Sequence, residues 1–221
     1  MNIEQARFNM IEQQIRPWDV LDLGVLQLLA IVKREDFVPP AHRALAFVDT
    51  EVPLSSSTSG QQCMLAPKVE ARILQELGVH KHERVLEIGA GSGHMAALLA
   101  HKAQHVTSLE VDAELASFAT ANLKRAGVMN AAVVHADGAN GPLGDGPFDV
   151  IVLSGSVAEV PETLLSQLKV GGRLAAIVGA EPVMRALLIT RSADRGLERT
   201  VLFDTVAQRL RGFAEPTKFR F

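Results

Sequence analysis

The stretch Val85-Leu86-Glu87-Ile88-Gly89-Ala90-Gly91-Ser92-Gly93 constrains this chain more than any other feature. A strand-forming run enters three glycines at alternate positions and leaves them as a helical segment. Such a junction lets backbone approach a ligand closely. It departs from the dinucleotide pattern Gly-x-Gly-x-x-Gly: the third glycine comes one residue early, and Glu87 stands two positions before the first. A pyrophosphate seeks the uncompensated N–H groups of a helix end, whereas S-adenosylmethionine presents a sulfonium and an ammonium that an acidic rim favours. The loop therefore indicates S-adenosylmethionine as cofactor, with Glu87 on that rim and Gly89, Ala90, Gly91, Ser92 and Gly93 against the ligand.

The surrounding pattern supplies a sheet to carry this junction. Pro67 suits the first turn of a helix through Val69, Ile73, Leu74 and Leu77 that stops at Gly78. Short β-rich runs follow at Arg84 to Ile88, Val106 to Glu110, Ala131 to His135, Phe148 to Leu153 and Arg173 to Val178, separated by helical or turn segments. That alternation predicts an α/β fold with a doubly wound, mostly parallel sheet, the Rossmann-like class I methyltransferase type. Met184 to Thr190 and Thr200 to Val206, joined by the turn at Ala193 to Gly196, predict an antiparallel edge. Upstream, a helical period from Ile3 to Ile15 ends at Pro17, and Asp19 can cap a second helix through Ile31. From Pro39 to Gly60 prolines and a serine run predict a loop. The expected organisation is one domain over 1–221, with N-terminal helices and an acceptor-side loop in 1–66 and the cofactor sheet in 67–221.

Further candidates lie at strand ends. Glu110 closes the strand after the glycine loop, where an acid can accept both ribose hydroxyls, with Val111 adjoining. Asp137-Gly138 follows the next strand; the carboxylate could take the adenine amino group or form an Asx turn, while His135 reads as a partly buried strand residue. Ser154-Gly155-Ser156 ends the fourth strand and offers Ser154 and Ser156 to the pocket.

A net charge of −3 gives no basic field for a polyanion, so nucleic acid is not an expected partner. The one cysteine, Cys63, cannot close an internal disulfide, no cysteine-histidine cluster at zinc spacing predicts a metal, and no leader or membrane-length apolar run is evident. A cytoplasmic protein with no membrane contact is expected.

Beyond the glycine loop, Arg34-Glu35-Asp36-Phe37-Val38-Pro39, Asp49-Thr50-Glu51-Val52-Pro53-Leu54 and the segment from Val160 to Leu174 resemble the protein-L-isoaspartate O-methyltransferase family. The resemblance implies methyl transfer to the α-carboxylate of an isoaspartyl residue in a protein or peptide substrate. Where that family carries Gly-Gln-Thr-Ile-Ser-Gln-Pro, this chain reads Gly60-Gln61-Gln62-Cys63-Met64-Leu65-Ala66-Pro67, and neither register supplies the serine hydroxyl. The family's Gly-Ser-Gly-Tyr is Gly91-Ser92-Gly93-His94 here. Ser57 and Ser59 in the preceding run could place a substitute hydroxyl. The departure leaves two other readings open: a same-fold methyltransferase with a different acceptor, and a catalytically silent protein-binding relative.

Overall fold

The computed structural model describes residues 2–54, 62–140 and 146–215. The chain opens with α1 (Ile3–Met10), which Asn2 starts by accepting the Gln5 N–H at 3.2 Å. It continues as a π-helical turn over Ile11–Ile15 and a 3-10 turn over Arg16–Trp18 that contains Pro17. Asp19 then takes a left-handed backbone, φ 58°, and turns the chain instead of capping the next helix. Asp22 caps α2 (Leu23–Ile31) in its place, accepting the Val25 N–H at 2.9 Å from an extended backbone suited to that role.

Between Pro39 and Leu54 the chain is more regular than its composition predicts. A 3-10 helix spans Pro40–Phe47, and β1 (Val52–Pro53) pairs antiparallel with β2 (Cys63–Met64). Ala46, Phe47 and Val52 are buried against the rest of the core, a tertiary effect that the loop signature of the prolines does not announce. The serines of the predicted substitute, Ser57 and Ser59, lie outside the described residues.

α3 (Pro67–Leu77) begins on Pro67 and stops at Gly78, φ 51°, as its signals predict. There follow β3 (Arg84–Ile88), α4 (His94–Ala100), β4 (His105–Glu110), α5 (Ala113–Arg125), β5 (Ala131–His135), β6 (Phe148–Val157), α6 (Glu162–Leu165), β7 (Leu168–Ala180), β8 (Val183–Ser192) and β9 (Gly196–Thr205). They form a seven-stranded sheet in the order β5-β4-β3-β6-β7-β8-β9. β5 to β7 in that order run parallel, and the β8–β9 edge is antiparallel, as expected. The winding reverses between β3 and β6, the place where open α/β sheets leave a crevice at their carboxyl ends. Ile88 is level with both Leu109 and Leu153, so Gly89, Glu110 and Ser154 come level with one another at this edge.

β6 does not end at Leu153. Its register against β7 shifts between Val152 and Ser156, a bulge that turns Ser154 out of the regular ladder before the strand resumes to Val157. Alternation then divides the core. Val85, Val106 and Val150 face a cluster with α1 to α5, while Leu86, Ile151 and Leu174 face α6 and Phe213 of the C-terminal segment. No helix among the described residues is long and apolar enough to cross a membrane.

Candidate cofactor and acceptor site

Backbone begins the attachment of the glycine loop to the end of β4: the N–H groups of Gly89 and Ala90 donate to the Leu109 carbonyl at 2.9 and 3.1 Å. Gly89 has φ 91°, and a side chain there would stand 2.7 Å from the Leu210 side chain. Glu110, 4% exposed, continues the attachment. One oxygen accepts the Gly91 N–H at 2.8 Å and the other accepts the Asp112 N–H at 3.1 Å. Each carboxylate oxygen retains a second lone pair.

Two cavities meet at Gly89. One is lined by Glu110, Val111, Ala136, Gly138, Leu210 and Arg211. The other is walled by Cys63, Met64 and Leu65 on the β2 side, by Gly89 to Ser92, and by Glu70, Glu87, His94 and Ser154. The structure thus brings together Glu87, Gly89, Ala90, Gly91, Ser92, Glu110, Val111, Gly138 and Ser154 from the sequence reading. Gly93, φ 81°, sits just behind them as the N-cap of α4. A larger cavity between α6 and the β8–β9 hairpin is lined by Glu159, Pro161, Leu187 and Arg199, away from these strand-end acids.

Glu87 differs in detail from the expected rim acid. It is fully buried, accepting the Ser108 hydroxyl at 2.6 Å and the Ser154 hydroxyl at 2.7 Å. Burial pushes its carboxyl up to about 8, against the pull of both serines and with a further push from the charges of Glu70 and Glu110. The raised value carries a signed consequence. Stability from the neutral acid is fully present below the ordinary value of 4.5 and is lost as pH rises through about 8. Glu87→Gln stays neutral throughout, so its stability relative to the wild type should rise with pH across that window, by at most about 1.4 kcal/mol per pH unit. Urea unfolding at several pH values measures this; a pH-independent difference would show that the buried acid is already ionised.

Asp137 forms the Asx turn, accepting the Ala139 N–H at 2.9 Å and the Asn140 side-chain amide at 2.6 Å, and it packs against Gly212. His135 is exposed, not partly buried, with Nε2 3.1 Å from the Val111 carbonyl. Ser156 is not a pocket residue. Its hydroxyl donates to the Ala207 carbonyl at 2.8 Å, and its backbone bonds to Gln208 and Leu210, stitching the C-terminal segment over the sheet edge. The reason is the β6 bulge, which returns Ser156 to the ladder while leaving Ser154 at the crevice.

Three residues of the site escape the motif reading. Arg34 donates to Glu70 and, at 2.7 Å, to the Leu65 carbonyl; His94 Nδ1 lies 3.0 Å from Glu70 Oε2. Burial pushes the Glu70 carboxyl up, but the charges and hydrogen bonds of His94 and Arg34 outweigh it and hold the group below its ordinary value. The signal that could have found Glu70 is its place on the apolar stripe of α3, three residues before Ile73 and four before Leu74.

The reversed strand order, the glycine loop and the acids ending β3 and β4 define the class I methyltransferase fold. A Plasmodium falciparum chain crystallised with S-adenosyl-L-homocysteine superposes on this one with a TM-score of 0.76 at 22% identity, covering 92% of this chain and 97% of that one. A solved protein-L-isoaspartate O-methyltransferase gives 0.77 at 26% identity, covering 95% of this chain and 66% of that one. The family model for protein-L-isoaspartate(D-aspartate) O-methyltransferase matches residues 5–206. A protein-L-isoaspartate O-methyltransferase of Rhodopseudomonas palustris is 39% identical over 196 residues, 88% of each chain. One from Koribacter versatilis is 35% identical over 198 residues, 90% of this chain and 87% of the relative. The chain belongs to the protein-L-isoaspartate(D-aspartate) O-methyltransferase family.

Proposed function

We propose that this protein methylates the α-carboxylate of isoaspartyl residues in proteins or peptides, using S-adenosylmethionine. The observation that carries the reading is the convergence of Glu87, Glu110 and Ser154 on the bare backbone of Gly89 in a family member matched over residues 5–206. When bound, the cofactor supplies an electrophilic methyl on a sulfonium. The residues present fit it. Gly89 offers a cradle that a Cβ would fill, and Glu110 has lone pairs left for a ribose diol beside Val111, Gly138 and the Asp137 turn. Glu87, which accepts the Ser108 and Ser154 hydroxyls, provides the carboxyl for the ammonium, whose positive charge favours the ionised form against the upward push of burial.

The acceptor needs no base, because an α-carboxylate is ionised at neutral pH. Alignment and exclusion of water are then the protein's main contribution, and Met64 and Leu65, both buried, provide an apolar wall for it. That wall stands where the family pattern has Thr-Ile-Ser, which also favours a second reading, a same-fold methyltransferase with another acceptor. A reducing, cytoplasmic setting belongs to the same reading, supported by a single cysteine that cannot close an internal disulfide.

The test pairs calorimetric titration with adenosylhomocysteine and transfer of a labelled methyl to an isoaspartyl peptide, with the aspartyl isomer as control. Binding with transfer to the isoaspartyl form alone is expected. Binding without transfer moves the assignment to another acceptor, and no binding removes the cofactor.

A further inference from the structure

His94 is 2% exposed and lines the same cavity as Glu87 and Ser154. Its Nδ1 is taken by Glu70, and Glu70 is in turn held by Arg34, which also donates to the Leu65 carbonyl. The edge of the ring is fixed against Phe37, centroids 5.3 Å apart at 65°. The other ring nitrogen, Nε2, is buried and has no hydrogen-bond partner among the described residues. A polar atom left in that state is costly, and a ligand group that pairs with it recovers the loss.

The chemistry of the cavity narrows that ligand group. Glu87 already has two serine donors and suits an ammonium. Glu70 accepts the Nδ1 proton, so Nε2 donates when the ring carries both protons; Arg34 balances the charge of Glu70 and leaves that second proton facing the cavity uncancelled. The amino-acid end of S-adenosylmethionine carries an ammonium and a carboxylate on one carbon, and Glu87 answers only the first. We infer that His94 Nε2 donates a hydrogen bond to the α-carboxylate of the cofactor, with Glu70 and Arg34 as the residues that position the ring.

The inference rests on the cofactor reading above and assigns within it a contact to His94, at the position where the family pattern has tyrosine. It predicts discrimination between nucleosides that have and lack the amino-acid end. Adenosylhomocysteine carries that end, and 5′-methylthioadenosine does not. Calorimetric Kd values for both would be measured on the wild type, His94→Phe and His94→Gln, with thermal melts to confirm folding.

His94→Phe is expected to weaken adenosylhomocysteine by about tenfold to a hundredfold, the loss of one hydrogen bond to a charged group. 5′-Methylthioadenosine should change by less than about twofold, since it has no carboxylate to lose. His94→Gln, which can place an amide N–H near Nε2, should recover part of the affinity. Equal weakening of both nucleosides, or of neither, overturns the inference, the first by showing that the ring only shapes the cavity. Failure of the wild type to bind adenosylhomocysteine would be a different result, removing the cofactor assignment and this contact with it.

Discussion

Glu110→Ala is expected to weaken adenosylhomocysteine binding by about a hundredfold or more. The carboxylate serves both the loop and the ligand. Its oxygens hold the Gly91 and Asp112 N–H groups at 2.8 and 3.1 Å, which sets the distance between the glycine loop and the start of α5. Its remaining lone pairs face the cavity side with Val111 and Gly138, and hydrogen bonds to an ionised acceptor contribute about 1.5–3 kcal/mol each. Alanine loses the ribose contacts and frees the loop together. Glu110→Gln, which keeps one acceptor oxygen, should fall between the two. A calorimetric Kd for Glu110→Ala within about threefold of the wild type would show that the ribose lies elsewhere.

The second large effect is on stability. Arg34→Ala is expected to destabilise the protein by about 3–5 kcal/mol, because it breaks a buried ion pair and takes from the Glu70 carboxylate one of its two cationic partners. Arg34 and Glu70 are 2% and 5% exposed, and Arg34 also satisfies the Leu65 carbonyl, so the variant takes a donor from that carbonyl and leaves Glu70 with His94 alone. For a chain of this size each kcal/mol moves Tm by about 2–4 °C, giving a fall of roughly 10 °C. Arg34→Lys should not rescue it fully, since one ammonium replaces a planar fork that reaches two partners. The double variant Arg34→Met with Glu70→Leu should recover much of the loss by removing both charges. A loss below about 1 kcal/mol for Arg34→Ala, read from urea unfolding, would mean that water reaches Glu70.

Much of the fold was legible because its signals are local. Pro67 and Gly78 bound α3 by fixing φ at one end and permitting a left-handed residue at the other. The β3 and β5 limits followed from short β-rich runs between turns. The readings that failed did so where a remote partner decides the backbone. Asp19 has the composition of a cap, yet its left-handed turn hands that role to Asp22, whose backbone N–H is also held by Gln75 at 2.9 Å. Pro40–Phe47 lies in a stretch whose prolines read as loop, and it forms where Ala46 and Phe47 are buried. Ser156 was placed in the pocket by proximity to Ser154, which a strand without a bulge would justify.

The sequence by itself determined the class of the protein. A strand meeting alternate glycines, an acid at its end and another on the next strand all lie within 24 residues, Glu87 to Glu110, where local geometry leaves few arrangements. Only the tertiary structure decided how the second half of the site is built. Arg34, Glu70 and His94 are far apart in the chain; Arg34 and His94 fall in segments that resemble the family, but no spacing links the three, and each alone is a charge or a polar ring of ordinary surface type. Folding buries all three, and the cost of burying a charge is offset only by partners that distant elements bring to it; among the described residues, Arg34 Nε and His94 Nε2 are left without one.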